Sequence, residues 1–458
     1  MVFTSTFSGL GTAEMAATMA HREMTSFFRP SSVTHYSACD SEVSCQSILC
    51  KMDCCHVFRD VKECFDSTVM QLLTEYVQER HKEVQQIKDK VSRKARILTA
   101  GKEVCRFAAD LLSSHPPQET AYCVKCNKMC KRFPCKKMLD SYSIWVEGGS
   151  GSPCYPWTPA AYGSQLRWLH PEVSPVYFAW LFSLLNAEPS PDAILHENVS
   201  GFDWESMKEL VGSKYTLETI VVSPEDCGLP VARPRRFTVM LLKQHQKMMP
   251  FDRDLWTAAC FASVQCDASV FLNADEEVLR KEKERLSVKK FLPAQDAHRW
   301  SWNTLLTGRE NRTWFNNTSQ NLEYQPRLSL ELRSPTLMTS TKLFVDYLDS
   351  PYDARPVHAL ELLAMQALPL FLPPPNDWYQ KIILNSGLAD RSLRKMAGNG
   401  MNLWVVGQCL LLILGTVAWE PKRPNLKRKL AMLMHDAEQS ETDNPCSDSD
   451  VEPEAGPI

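Results

Sequence analysis

The sequence predicts an α/β protein built on a doubly wound, mostly parallel sheet, with a smaller irregular domain beside it. Three observations carry that expectation. Residues 1–65 alternate short apolar stretches with turn residues and helical patterns, and the same strand–loop–helix alternation returns over 143–237. A glycine turn, Phe7-Ser8-Gly9-Leu10-Gly11-Thr12-Ala13-Glu14, lies between the extended Val2–Thr6 and a helical run. The composition is that of a folded chain, with 44% of 458 residues apolar and 23% charged. The net charge of −3 is unevenly placed: residues 1–421 carry 46 basic and 46 acidic side chains, and the end is acidic. A neutral body excludes nucleic-acid binding by bulk charge, so any such site is a local patch.

There are 17 cysteines. Residues 1–10 have no basic n-region and no sustained apolar run, which predicts no secretory signal and reduced, intracellular thiols. The Asn-x-Ser/Thr sequons at Asn198, Asn311, Asn316 and Asn317 then read as chance matches. The apolar stretch 403–419, interrupted by Gly407, Gln408 and Gly415, is short for a membrane span and predicts a buried core helix. Residues 70–112 are polar and helical in period. Residues 115–140 hold a compact cluster of cysteines and lysines. Residues 241–380 are irregular and tryptophan-rich (Trp256, Trp300, Trp302, Trp314) and include a proline run at 373–375. Beyond Pro421 the chain has too few apolar residues to fold.

Glycines at a strand-to-helix turn let the backbone approach a nucleotide-like ligand, or simply make the turn. Asp40 follows the second strand candidate, where a carboxylate can take both hydroxyls of a ribose, and Asp60 stands at the end of the third. Each acid taken alone is also an ordinary loop residue. In Gly148-Gly149-Ser150-Gly151-Ser152-Pro153-Cys154 a thiol directly follows proline in a glycine-rich loop. A stiff, exposed backbone of that kind suits a nucleophile; a buried packing thiol is the alternative. Glu197-Asn198-Val199 follows the apolar residues 193–195, and Arg233-Pro234-Arg235 opens another strand candidate.

In this order, from about residue 3 to 415, these motifs resemble the DNA cytosine-5 methyltransferases. Arg355-Pro356-Val357-His358-Ala359-Leu360-Glu361 and Gly398-Asn399-Gly400-Met401 resemble that family's last two motifs. The resemblance implies the class I S-adenosylmethionine-dependent methyltransferase fold and double-stranded DNA as partner, with no membrane. The target cytosine is flipped out, because C5 and C6 are otherwise stacked inside the duplex. It implies that Cys154 adds to C6 as a thiolate and that Glu197 activates N3. Arg233 and Arg235 are then the cations near the thiol. Phe7, Gly9 and Gly11 shape the methionine and ribose end of the cofactor pocket, Asp40 takes the ribose, Asp60 and Val61 the adenine, and Asn399 braces the pocket. The sequence departs from the pattern at Tyr155, where glutamine is usual, at Trp157 and Val231, and at Gly400, where alanine is usual. Two rivals remain: an RNA cytosine-5 methyltransferase of the same fold, and an inactive member that binds DNA or a partner. Retention of Cys154 and Glu197 argues against the second.

The expected division is 1–70 and 141–240 for the two parts of the catalytic and cofactor domain, with 71–140 an insertion between them. Residues 241–380 form the target-recognition domain, 381–420 a helix returning to the catalytic domain, and 421–458 a disordered basic-then-acidic tail. In the insertion, Cys123, Cys126, Cys130 and Cys135 have spacings that suit tetrahedral zinc, or are unligated thiols in a basic loop. Lys125, Lys128, Lys131, Arg132, Lys136 and Lys137, with Phe133, could grip phosphates and stack a base. The basic run Arg280 to Lys290 reads as a phosphate track or a solvated helix face.

Lys422-Arg423-Pro424 and Lys427-Arg428-Lys429 precede an acidic stretch without lysine or arginine, which reads as a nuclear import signal or as a plain surface charge run. Deleting 421–458 should abolish nuclear accumulation of a fluorescent fusion while leaving activity intact. Unchanged accumulation would remove the import role.

Overall fold

The computed structural model describes residues 1–25, 32–139, 143–158, 165–243, 253–288, 314–317, 333–346 and 355–417. The expected tail, Trp300, Trp302, Lys289 and Lys290 lie outside the described residues.

The chain begins β1 (Val2–Thr6), α1 (Thr12–Thr25), β2 (Thr34–Cys39), α2 (Val43–Leu49) and β3 (His56–Phe58). Two long helices follow, α3 (Ser67–Gln85) and α4 (Lys90–Ser113). Each is started by an aspartate that accepts from its first turn: Asp66 from Thr68 N at 2.8 Å and Asp89 from Ser92 N at 2.7 Å. Next come β4 (Thr120–Cys123), β5 (Lys128–Lys131), β6 (Trp145–Gly151), α5 (Ser174–Leu185), β7 (Ala193–Val199), α6 (Trp204–Val211), β8 (Tyr215–Val222) and β9 (Arg235–Leu242). These nine strands form one sheet in the order β5-β4-β3-β2-β1-β6-β7-β9-β8. Strands β3, β2, β1, β6 and β7 are parallel. The order reverses at β1, the switch point where doubly wound sheets bind ligands.

The insertion is part of this sheet. β4 and β5 add to the free edge of β3 in antiparallel fashion, and α3 and α4 pack against α5. The mixed charges read in 70–112 are the solvated faces of these two helices. One stripe of each is buried, Leu73 and Val77 in α3 and Val104 and Ala108 in α4.

Further on lie α7 (Arg253–Cys260), α8 (Glu276–Val288) and a small antiparallel sheet of β10 (Trp314–Asn317), β11 (Leu343–Asp346) and β12 (Arg355–Pro356). Trp256, Phe315 and Leu343 from this region share a core with Phe3 of β1 and Leu10 of the turn that follows it. The chain then forms α9 (Ala359–Ala364), α10 (Trp378–Leu384), α11 (Asp390–Asn399) and α12 (Leu403–Gly415). The apolar stretch at 403 is a buried helix lying along α1, so the end of the described chain returns to its beginning. Among the described residues no single helix is long and apolar enough to cross a membrane.

One glycine sets the geometry of the centre. β6 pairs Glu147 with Ile194, then resumes at Ser150 opposite His196 after a register shift. Gly149 has φ +70°, and a Cβ there would sit 2.2 Å from the Cβ of Ala13 in α1. The bulge therefore needs a residue without a side chain, both for its backbone and for close helix packing. Overpacking costs about 1–3 kcal/mol and the left-handed backbone about 1–2 kcal/mol. Gly149→Ala should lower the unfolding free energy by about that combined amount, seen as a lower urea midpoint at unchanged m; an unchanged midpoint would contradict the contact.

Candidate active site

A cavity of about 1230 Å³ opens at the carboxyl ends of β1, β2, β6 and β7. One end is lined by Phe7, Gly9 and Asp40, the other by Cys154, Glu197, Arg233 and Arg235, and its far wall includes Thr341, Lys342, Arg391 and Asn399. Most of the residues singled out in the sequence thus meet in one space, from segments as distant as 7 and 399.

The β1–α1 turn carries Phe7 at φ +59°, Gly9 at φ +57° and Gly11 at φ +76°. Gly9 N donates to Asp40 Oδ2 at 2.8 Å, and Glu42 N to Oδ1 at 2.9 Å, so the two loops are locked together. Burial raises the Asp40 carboxyl, and these two N–H groups oppose it. A Cβ on Gly9 would meet nothing within 4 Å, so the turn leaves open space where a ligand's backbone approach is expected. Gly11 does not line the cavity; its hydrogen faces the Met52 side chain.

Asp60 and Val61 are not in the cavity wall. Asp60 caps a 3-10 turn over Val61–Cys64 by accepting from Lys62 N at 2.9 Å. Val61 is buried in the core under α3 and α5. The strand ends where expected, but the side chains serve the turn and the core.

Cys154 follows the bulged strand at the start of a 3-10 turn, Tyr155–Trp157. Its loop is held by a polar group inside the sheet. Ser152 Oγ shares a hydrogen bond with His196 Nε2 at 2.8 Å and accepts from Asn198 Nδ2 at 2.9 Å. His196 stacks on Trp180, and burial lowers it to about 3, so it is neutral. Sequence reasoning assigned no role to Ser152, His196 or Asn198. The signal was present: three successive polar residues, 196–198, in a strand buried along its whole length.

Gly151 pairs with Glu197, which brings the carboxylate beside the cysteine loop. Arg235 Nε lies 3.2 Å from Glu197 Oε1, and both side chains are mostly buried. Burial raises Glu197, with Arg235 and Arg233 opposing. Burial and Glu197 also raise the Cys154 thiol, against the two arginines. The arginines do not leave a depressed thiol, because burial and the Glu197 carboxylate outweigh them, and each arginine also has a partner of its own. Arg235 holds Glu197. Arg233 donates to Leu337 O at 2.8 Å, Gly398 O at 2.9 Å and Gly400 O at 2.7 Å.

The cysteine cluster is built differently from its spacing. Cys123, Cys126 and Cys130 converge with His56 of β3, and Cys135 stands outside the group. Arg132 is turned inward over the Phe58 ring, continuing the alternation of buried Cys130 and exposed Lys131, and the half-buried Phe133 lies against Trp145. Lys125 donates to Met52 O and Cys54 O; Lys128 and Lys131 are exposed. On α8, Arg280 pairs with Glu277 and Glu284, and Lys281 with Glu277, the arrangement of a solvated helix face.

No family model and no curated protein matches the chain. Among solved structures, S. pombe Dnmt2 methyltransferase is similar at 13% identity and TM-score 0.48, covering 90% of this chain and 98% of that one. Entamoeba histolytica methyltransferase EhMeth is similar at 12% and 0.42, covering 90% and 98%. A putative DNA modification methyltransferase encoded within an E. coli prophage is similar at 12% and 0.47, covering 91% and 99%. At these identities the functional reading rests on the cavity's own residues.

Beneath the glycine turn, Glu14 is 2% exposed and accepts from the Ser5 hydroxyl, while its Oε2 has no partner. Burial raises it from 4.5 to about 7. The fold favours its protonated form, so this contribution is fully present below pH 4.5 and is lost as pH rises through about 7. Relative to Glu14→Gln, which is neutral throughout, the wild-type urea midpoint should fall across that window. A relative rise would overturn the burial argument.

Proposed function

We propose that the protein is a cytosine-5 methyltransferase that uses S-adenosylmethionine and acts on double-stranded DNA. The observation that carries this reading is the convergence of Cys154 and Glu197 on one cavity with the Phe7–Gly9 turn and Asp40. A nucleophile, a buried acid and a nucleotide cradle are three parts of one reaction, and few other chemistries need all three together.

The ribose end of the cavity fits the cofactor: open space over Gly9 and a carboxylate already oriented by two N–H groups. S-adenosylmethionine bound there would supply the methyl group. Asp60 and Val61 do not line this cavity, so the reading assigns the adenine no partner among them.

At the other end, Cys154 gives its proton to solvent and its sulfur bonds to C6 of a flipped cytosine. Glu197, whose hold on a proton burial strengthens, takes one up and donates it to N3 as the electron pair shifts towards C5. After methylation the C5 proton leaves to a base, the Sγ–C6 bond breaks, and N3 returns its proton. Arg235 orients Glu197 through the ion pair and limits how far burial raises it. The Ser152–His196–Asn198 group fixes the loop so that the thiol meets C6 in one geometry. Lys342 and Arg391 on the far wall offer charge to a phosphate backbone.

A duplex carrying 5-fluorocytosine should trap the wild-type protein as a denaturant-resistant adduct when the cofactor is added, since fluorine cannot leave as a proton does. Cys154→Ala should form none, and Cys123→Ser should still trap. Glu197→Gln should slow tritium transfer from the cofactor about 100- to 10,000-fold. Trapping on fluorinated transfer RNA alone would move the substrate to RNA. Absence of any adduct on DNA or RNA would leave a binding protein without turnover.

A further inference from the structure

We propose that His56, Cys123, Cys126 and Cys130 form a structural zinc site that fastens the β4–β5 hairpin to the edge of the sheet. One ligand atom from each lies within 4.8 Å of all the others. Cys126 Sγ is 3.4 Å from His56 Nδ1. Zn–S bonds of ~2.3 Å and Zn–N bonds of ~2.0 Å define a tetrahedron with edges near ~3.5–3.8 Å, so the group closes on a metal with small side-chain movements.

The backbone around the sulfurs is arranged for thiolates. Val57 N and Cys126 N both donate to Cys123 Sγ at 3.3 Å, and such N–H contacts orient metal-bound sulfur. Asn127, at φ +53°, makes the tight turn that brings Cys123 and Cys126 to one side and sends Cys130 back along β5. The exposed Lys128 and Lys131 flank the cluster and balance the single negative charge that three thiolates and an imidazole leave on Zn²⁺. On binding, three thiols release protons to solvent and four lone pairs go to the metal; nothing is oxidised or reduced. All four positions are filled by protein, which marks a closed structural site.

The hairpin needs such a staple. Its strands are four residues each, and it joins β3 through the single pair Phe58↔Cys123. A two-stranded hairpin held so lightly is marginal on its own. The clip also bears on the third strand's end, because Arg132, the residue after β5, donates to Asp60 O at 3.2 Å. The proposal is independent of methyl transfer and stands or falls without it.

The full chain, purified without chelator and without a histidine tag, should contain one zinc per molecule by mass spectrometry of the metal. After stripping, added cobalt(II) should give the intense visible bands and sulfur charge transfer of a tetrahedral thiolate site. Cys126→Ser should lose the metal and speed hydrogen exchange over 115–139. Cys135→Ser should keep it. His56→Cys, which preserves ligation if His56→Ala fails to fold, should bind cobalt with a spectrum shifted towards four thiolates. Zinc-free protein with only weak octahedral cobalt bands would overturn the site, as would iron in place of zinc. So would loss of metal in Cys135→Ser, or an unshifted cobalt spectrum in His56→Cys.

Discussion

Arg233 donates to the carbonyl oxygens of Leu337, Gly398 and Gly400, groups 104 to 167 residues away along the chain. Arg233 is 3% exposed, and burial lowers its guanidinium to about 9, so it still carries its charge at neutral pH. Three oriented carbonyl dipoles offset the cost of removing that charge from water. The tie matters because the cavity has two walls from opposite ends of the sequence. The near wall is built on β1 and β2, the far wall on 339–344 and 391–401. At the crossing, Gly398 lies so close to Met338 that a Cβ would fall 2.3 Å from its carbonyl carbon. Cation and glycine together hold the far wall at contact distance.

Within those walls, the candidate reacting groups owe their placement to strand register. The bulge at Gly149 sets Gly151 opposite Glu197, and antiparallel β9 sets Arg235 opposite Val199, within reach of the same carboxylate. Burial raises both Cys154 and Glu197. The two shifts have opposite chemical meanings: a protonated glutamate is ready to donate, whereas a protonated cysteine must first give up its proton. Tyr155, half exposed beside Cys154 and hydrogen-bonded to His170, stands at the entrance to that step.

The sheet's parallel centre and its glycine turn were legible because period and turn chemistry are local signals, as was the buried helix at 403. The places where reading failed are those where tertiary register decides. Cys130 and Cys135 look equally eligible in sequence, and His56 lies 67 residues before Cys123 with nothing to connect them until β3 and β4 are paired. Arg233 and Arg235 read as equivalent cations, yet one reaches carbonyls of the far wall and the other a carboxylate in the sheet. Asp60 stands at a strand end, as its spacing indicated, and is diverted to capping because the next four residues turn at once into 3-10 structure. β4 and β5 are only four residues each, and β5, Lys-Met-Cys-Lys, has little intrinsic strand signal.

The insertion also changes what the sheet presents at its border. Without β4 and β5, the row of unpaired amides on β3 would face outward, a template on which another chain could grow a strand. The hairpin moves the border to β5, whose sequence Lys-Met-Cys-Lys exposes a lysine at each end and buries only Cys130. A strand that is short and positively charged at both ends repels its own copies and offers too few amides to bind one. The hairpin thereby replaces an open sheet edge with a short, charged one, the kind of border by which sheets avoid edge-to-edge pairing.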